Sequence, residues 1–107
     1  RRREIPVIEP IAVGPLSFDL HNRQITGTDG VFDLPRRELS VFEAMVLSQG
    51  RVVSKSQLLD AVYGVGSDVE EQVVEVYVSR LRKRLKPHGI EIRMQRGLGY
   101  QLQIIGA

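Results

Sequence analysis

Cysteine is absent from the 107 residues, which excludes a disulfide framework, a thiolate nucleophile and a cysteine-based zinc site. A reducing compartment is compatible with that absence. No apolar run approaches the roughly 18 residues that a membrane span needs. There is no glycine-rich loop of the kind that cradles phosphates. Histidine occurs twice: His21 lies in a strand-turn context and His88 stands between Pro87 and Gly89 at a helix end. Both read as surface residues sooner than as bases or ligands. Asp68, Glu70 and Glu71 cluster, but acids at the start of a helix are expected from its dipole. No catalytic residue, metal site or cofactor is expected, and an enzyme fails here for want of parts. Internal repeats and low-complexity segments are missing as well.

What is present describes an ordinary globular domain: 42% hydrophobic and 26% charged residues in a length that suits one folding unit. The N-terminal Arg1-Arg2-Arg3 is followed by Glu4 and two prolines with no apolar stretch behind it, so it is not a signal peptide. Residues 1–11 read as an interdomain linker and 12–107 as the domain. A linker implies something on its far side. The net charge of +2 is small, but it is unevenly spread. Between Ser79 and Arg96 seven basic residues meet one acid, Glu91, a local excess of six that leaves the rest of the chain at minus four. A polyanion would be held at one place only; the plainer alternative is a solvated helix face.

From Val13 to Leu34 short alternating runs predict a small antiparallel meander. Leu16, Phe18 and Leu20 alternate with polar neighbours, Asn22 supplies a turn, and Asp29-Gly30 signals a hairpin. Three helices follow. The first runs from about Arg36 to Ser48, with Leu39, Val41, Phe42, Met45 and Val46 inward and Gly50 just past its end. The second opens at Ser54 with Gln57 as a capping box and stops at Gly64. Ser67 with Glu70 reads as another box, opening a third helix that continues to about Lys86, before Pro87 and Gly89. Alternation then resumes from Ile90, and Arg96-Gly97-Leu98-Gly99 turns the chain into a C-terminal hairpin. Strands, three helices and a hairpin, in that order, make an α+β winged helix-turn-helix with an extra N-terminal sheet.

At about 100° per residue, Val74, Val78, Leu81 and Leu85 of the third helix share a narrow inward sector with Tyr77 at its flank. Gln72, Val76, Ser79, Arg80 and Lys83 fall opposite, with Val73 and Arg84 on one side and Arg82 and Lys86 on the other. Val76 sits amid polar residues, where its methyls could meet a thymine methyl in the major groove. Arg80 could pair with the O6 and N7 of guanine, and Gln72 with adenine. Arg82, Lys83, Arg84 and Lys86 would meet phosphates. In the hairpin turn, Arg96 stands where a narrow minor groove attracts an arginine. The alternatives are that Val76 is an isolated exposed apolar residue, that the cations serve only the dipole, and that the glycines merely close a turn.

Four segments carry a resemblance: Leu34-Pro35-Arg36-Arg37-Glu38-Leu39, Gly50-Arg51-Val52-Val53-Ser54-Lys55-Ser56-Gln57-Leu58-Leu59, Val74-Glu75-Val76-Tyr77-Val78-Ser79-Arg80-Leu81-Arg82-Lys83, and Arg96-Gly97-Leu98-Gly99-Tyr100. In order and spacing they resemble the effector domains of OmpR/PhoB-type response regulators, from about residue 13 to the end. The resemblance implies a four-stranded N-terminal sheet, a wing, and a tandem, often head-to-tail, dimer on direct-repeat duplex DNA in the bacterial cytoplasm. It also implies a receiver domain, which nothing in this chain matches, and a sensor kinase upstream. By position, Gln72, Val73, Val76, Ser79 and Arg80 would face bases, Tyr77 and Arg82 phosphates, and Arg96 the minor groove. Gly64, Val65, Gly66, Ser67 and Asp68 would form the loop that meets RNA polymerase. Gln72-Val73 replaces the Arg-Thr or Asn-Thr of many relatives, and Tyr77 a common His. Both bear on the operator and not on the fold. Pro35 stands where a Thr or Ser cap is usual. A protein-interaction module is the competing class, and it would not need Arg80, Lys83 and Arg84 grouped with Arg96.

Overall fold

The early alternating runs pair as a meander, β1 (Ile11–Val13), β2 (Leu16–Asp19), β3 (Gln24–Gly27) and β4 (Gly30–Phe32), in the sheet order β1-β2-β3-β4. The computed structural model describes residues 9–105, so most of the expected linker lies outside the described residues. The sheet nevertheless starts at Ile11, inside the segment read as linker, because Ile11 pairs with Phe18 and packs against the core. Asp19 makes the β2–β3 turn by accepting from the backbone N–H groups of His21 and Asn22 and from the Asn22 amide. The next hairpin falls one residue earlier than expected: Gly27 pairs with Gly30, so Thr28-Asp29 form the loop. His88 is packed edge-on against Phe32, with ring centroids 4.7 Å apart.

Three α-helices follow among the described residues: α1 (Arg36–Leu47), α2 (Lys55–Tyr63) and α3 (Val73–Leu85). Phe18 of the sheet meets Phe42 of α1 edge to face at 5.6 Å, which seats the meander on the helices. Pro35 precedes α1 with no side-chain cap. The second helix begins with the expected capping box, Ser54 and Gln57 each satisfying the other's backbone N–H at 3.1 and 2.9 Å.

The third helix starts later than the sequence suggests. The Ser67 hydroxyl accepts from the N–H of Val69, so no capping box with Glu70 forms. The chain enters α3 through i→i+3 bonds from Val73, Val74 and Glu75 to Glu70, Glu71 and Gln72. Val74, Val78, Leu81 and Leu85 are each at most 1% exposed, and burying each contributes about 1.5–3 kcal/mol. A short 3-10 turn over Lys86–His88 ends the helix at Gly89.

The hairpin β5 (Ile90–Gln95) and β6 (Gly99–Ile104) packs its Ile90 and Ile92 beneath α3. Val53, just before α2, exchanges two backbone hydrogen bonds with Tyr100, at 2.7 and 2.8 Å, and so ties the hairpin to the helices. No helix among the described residues is long and apolar enough to cross a membrane.

Candidate nucleic-acid interface

Because α3 turns its four aliphatic residues inward, its opposite side is open to solvent. Gln72, Val76, Ser79, Arg80 and Lys83 are exposed there, so four of the five residues expected to face bases share one accessible side, while Val73 is half-buried and packs against the core. Five of these, with Glu75, line a shallow open trough. Val76 is 43% exposed in the middle of it. Arg80 and Lys83 have no ion pair among the described residues.

Glu75 is an acid in that trough which the sequence reading did not address. Lys55, at the start of α2, donates to it at 2.6 Å. The hydrogen bond to Glu75 holds the Lys55 ammonium above its ordinary pKa. The pair neutralises the acid where a polyanion would otherwise be repelled. Nothing in the local pattern marks Lys55 for this role, since the two residues lie twenty positions apart.

The flanks of α3 differ from the sequence expectation. Tyr77, expected against a phosphate, is only 7% exposed; its hydroxyl is 2.6 Å from that of Tyr63 and accepts from the Arg37 guanidinium at 3.3 Å. Arg82, also expected on phosphate, donates two forked hydrogen bonds to the Ile92 carbonyl at 3.0 and 2.8 Å, bracing β5 against α3. Arg84 places its Nε 2.9 Å from Oε1 of Glu38 on α1, off the line of a good hydrogen bond, so the contact is an ion pair. Glu38 is the buried charge among the described residues. Of the five expected backbone contacts, Lys83 and Lys86 are exposed with neither an ion pair nor a side-chain hydrogen bond among the described residues.

Arg96 stands exposed at the tip of the hairpin beside Leu98 and Met94, which are 67% and 61% exposed. An open cleft of about 440 Å³ separates this tip from the start of α2, with Lys55, Ser56 and Glu71 on its far wall. The loop from Gly64 to Asp68 projects from the other end of α2, and Val65 at its tip is 90% exposed. The arrangement is a helix with an accessible side carrying free cations, a projecting hairpin beside it, and a separate exposed loop.

Residues 29–102 match the family described as transcriptional regulatory protein, C terminal. The chain is 41% identical over 97 residues to the flagellar transcriptional regulator FtcR of Brucella abortus, a match covering 86% of this chain and 42% of that protein. It is 31% identical over 103 residues to the response regulator ArlR of Staphylococcus haemolyticus, covering 94% and 47% respectively. The chain thus spans less than half the length of these curated relatives. Among solved structures it is similar to the Klebsiella pneumoniae RstA DNA-binding domain in complex with the RstA box. That match has a TM-score of 0.72 and 28% identity, and covers 88% of this chain and 96% of that one.

Proposed function

Because this chain belongs to the family of C-terminal domains of transcriptional regulatory proteins, we propose that it binds duplex DNA as the output domain of a bacterial two-component response regulator. The outward side of α3 enters the major groove, and Arg96 at the hairpin tip enters the neighbouring minor groove. The observation that carries this reading is the accessible trough in which Val76 and Arg80 stand one helical turn apart, with no partner for the guanidinium among the described residues. Gln72, Val73, Val76, Ser79 and Arg80 read base edges. Lys83 and Lys86 contact phosphates. The likeness to a domain solved in complex with its DNA box supports DNA binding.

The name response regulator, carried by a relative, supports a receiver domain and a sensor kinase in the rest of the assembly. A tandem dimer on direct repeats in the cytoplasm completes the proposal. The exposed Gly64–Asp68 loop is the surface offered to RNA polymerase.

Selecting bound sequences from a random duplex pool would supply the operator for two tests. Arg80→Ala is expected to lose about 1–3 kcal/mol of binding and to relax selectivity at one base pair. Unchanged operator preference would remove Arg80 from the base-reading set. Lys83→Ala is expected to weaken all duplexes alike and to lower the slope of log K against log salt by about one unit. A binding surface for protein would respond only weakly to salt, which separates the two classes.

A further inference from the structure

Around α3 the two flanks are built differently. One meets the hairpin through Arg82, while the other carries Val73, Tyr77 and Arg84 and meets α1 and the end of α2. A helix lying in a major groove has a phosphate strand along each flank. The hairpin flank has its own cations, Lys86 on α3 and Arg96 at the tip. The α1 flank gathers Arg37, Tyr63 and Tyr77 from three different helices.

These three side chains form a directional set of donors. The Arg37 guanidinium donates to the Tyr77 oxygen at 3.3 Å and lies over the Tyr63 ring, 5.2 Å from its centroid. The two phenol oxygens are 2.6 Å apart. Tyr77 is buried, so its O–H is satisfied by donating to Tyr63, the other phenol of the pair. The half-buried Tyr63 is then left with its own O–H directed away from the pair. Arg37 is exposed, has no ion pair among the described residues, and retains N–H groups beyond the one given to Tyr77. A guanidinium over the ring of a phenol whose O–H is also free to donate suits a phosphodiester oxygen.

We propose that Arg37 and the Tyr63–Tyr77 phenol pair form a second backbone clamp, which holds a phosphodiester on the DNA strand along the α1 side of α3, opposite the wing. The clamp rests on the DNA-binding reading above and adds to it a site that α1 supplies. It assigns Tyr77 an indirect part: Tyr77 orients Arg37 and Tyr63 and makes no phosphate contact of its own.

A phosphate contact is independent of sequence, so the test uses the 107-residue chain and a duplex of arbitrary sequence, titrated over a range of salt. Arg37→Gln keeps a donor for Tyr77 and removes the charge. It is expected to weaken binding about tenfold at low salt and to lower the salt slope by about one unit. Tyr63→Phe is expected to weaken binding about threefold with the slope retained, since it removes a neutral donor. If wild type binds and folded Arg37→Gln keeps both affinity and slope, the cluster is only a latch between helices and the clamp is wrong. Should Arg37→Gln fail to fold, Tyr63→Phe decides: a threefold loss supports the clamp, and wild-type affinity overturns it. If wild type itself binds no duplex in dilute buffer, the DNA-binding reading fails first and takes the clamp with it.

Discussion

Gly99→Ala is expected to destabilise the domain by about 3–5 kcal/mol and to free the hairpin from the helices. A Cβ at position 99 would lie 2.1 Å from the Val53 carbonyl oxygen and 2.7 Å from its carbon, and both atoms are backbone. Gly99 also has a φ of +143°, a conformation that side-chain-bearing residues rarely adopt, which adds about 1–3 kcal/mol of strain. Relief requires Val53 and Tyr100 to separate, which breaks their two backbone hydrogen bonds at about 1 kcal/mol each. A domain of this size has only about 5–15 kcal/mol in total. Chemical denaturation would measure the loss, and amide exchange at Val53 and Tyr100 would show where it arises. Gly97→Ala provides the comparison: nothing lies within 4 Å of its Cβ, and only its φ of +77° is strained, so a loss of about 1 kcal/mol is expected. Equal effects at the two positions would rule out the close approach to Val53 as the cause.

Arg84→Ala is expected to cost about 2–4 kcal/mol of stability while leaving the DNA affinity of the folded protein nearly intact. It removes the partner of Glu38, whose side chain is 3% exposed and cannot turn to water. Breaking a fully buried pair from one side costs about 3–5 kcal/mol. Arg84 is itself 47% exposed, so solvent already screens part of its attraction and the expected loss is lower. In a Glu38→Gln background the same change should cost much less, because no uncompensated charge remains. A thermodynamic cycle of the four proteins measures that coupling. If Arg84→Ala instead lowered the salt slope as Lys83→Ala does, without loss of stability, its side chain would be a phosphate contact after all.

The contrast between Lys83 and Arg84 shows where sequence reasoning stops. The angular position of each residue on α3 follows from helical periodicity, and the structure agrees with it throughout: Val74, Val78, Leu81 and Leu85 inside, Val76 and Arg80 outside. Whether a cation is available depends on its neighbours. Tyr77 is covered by α1 and α2, Arg82 is drawn to Ile92, Arg84 to Glu38, and Lys55 to Glu75, with partners ten to forty-six positions away. The two capping boxes divide in the same way. Ser54 and Gln57 are reciprocal and complete. The Ser67 hydroxyl accepts instead from the Val69 N–H, a competing local bond that the spacing alone does not reveal.

Periodicity, turn residues and the excess of positive charge near the end of the chain were enough to determine the order of elements and the side of α3 that meets solvent, because each is a property of residues close together in sequence. Tertiary structure alone decided which arginines are free, why Gly99 must be glycine, and that Arg37, Tyr63 and Tyr77 meet at one corner. Those outcomes depend on how three helices and a hairpin pack, and packing joins residues whose separation along the chain carries no local signal.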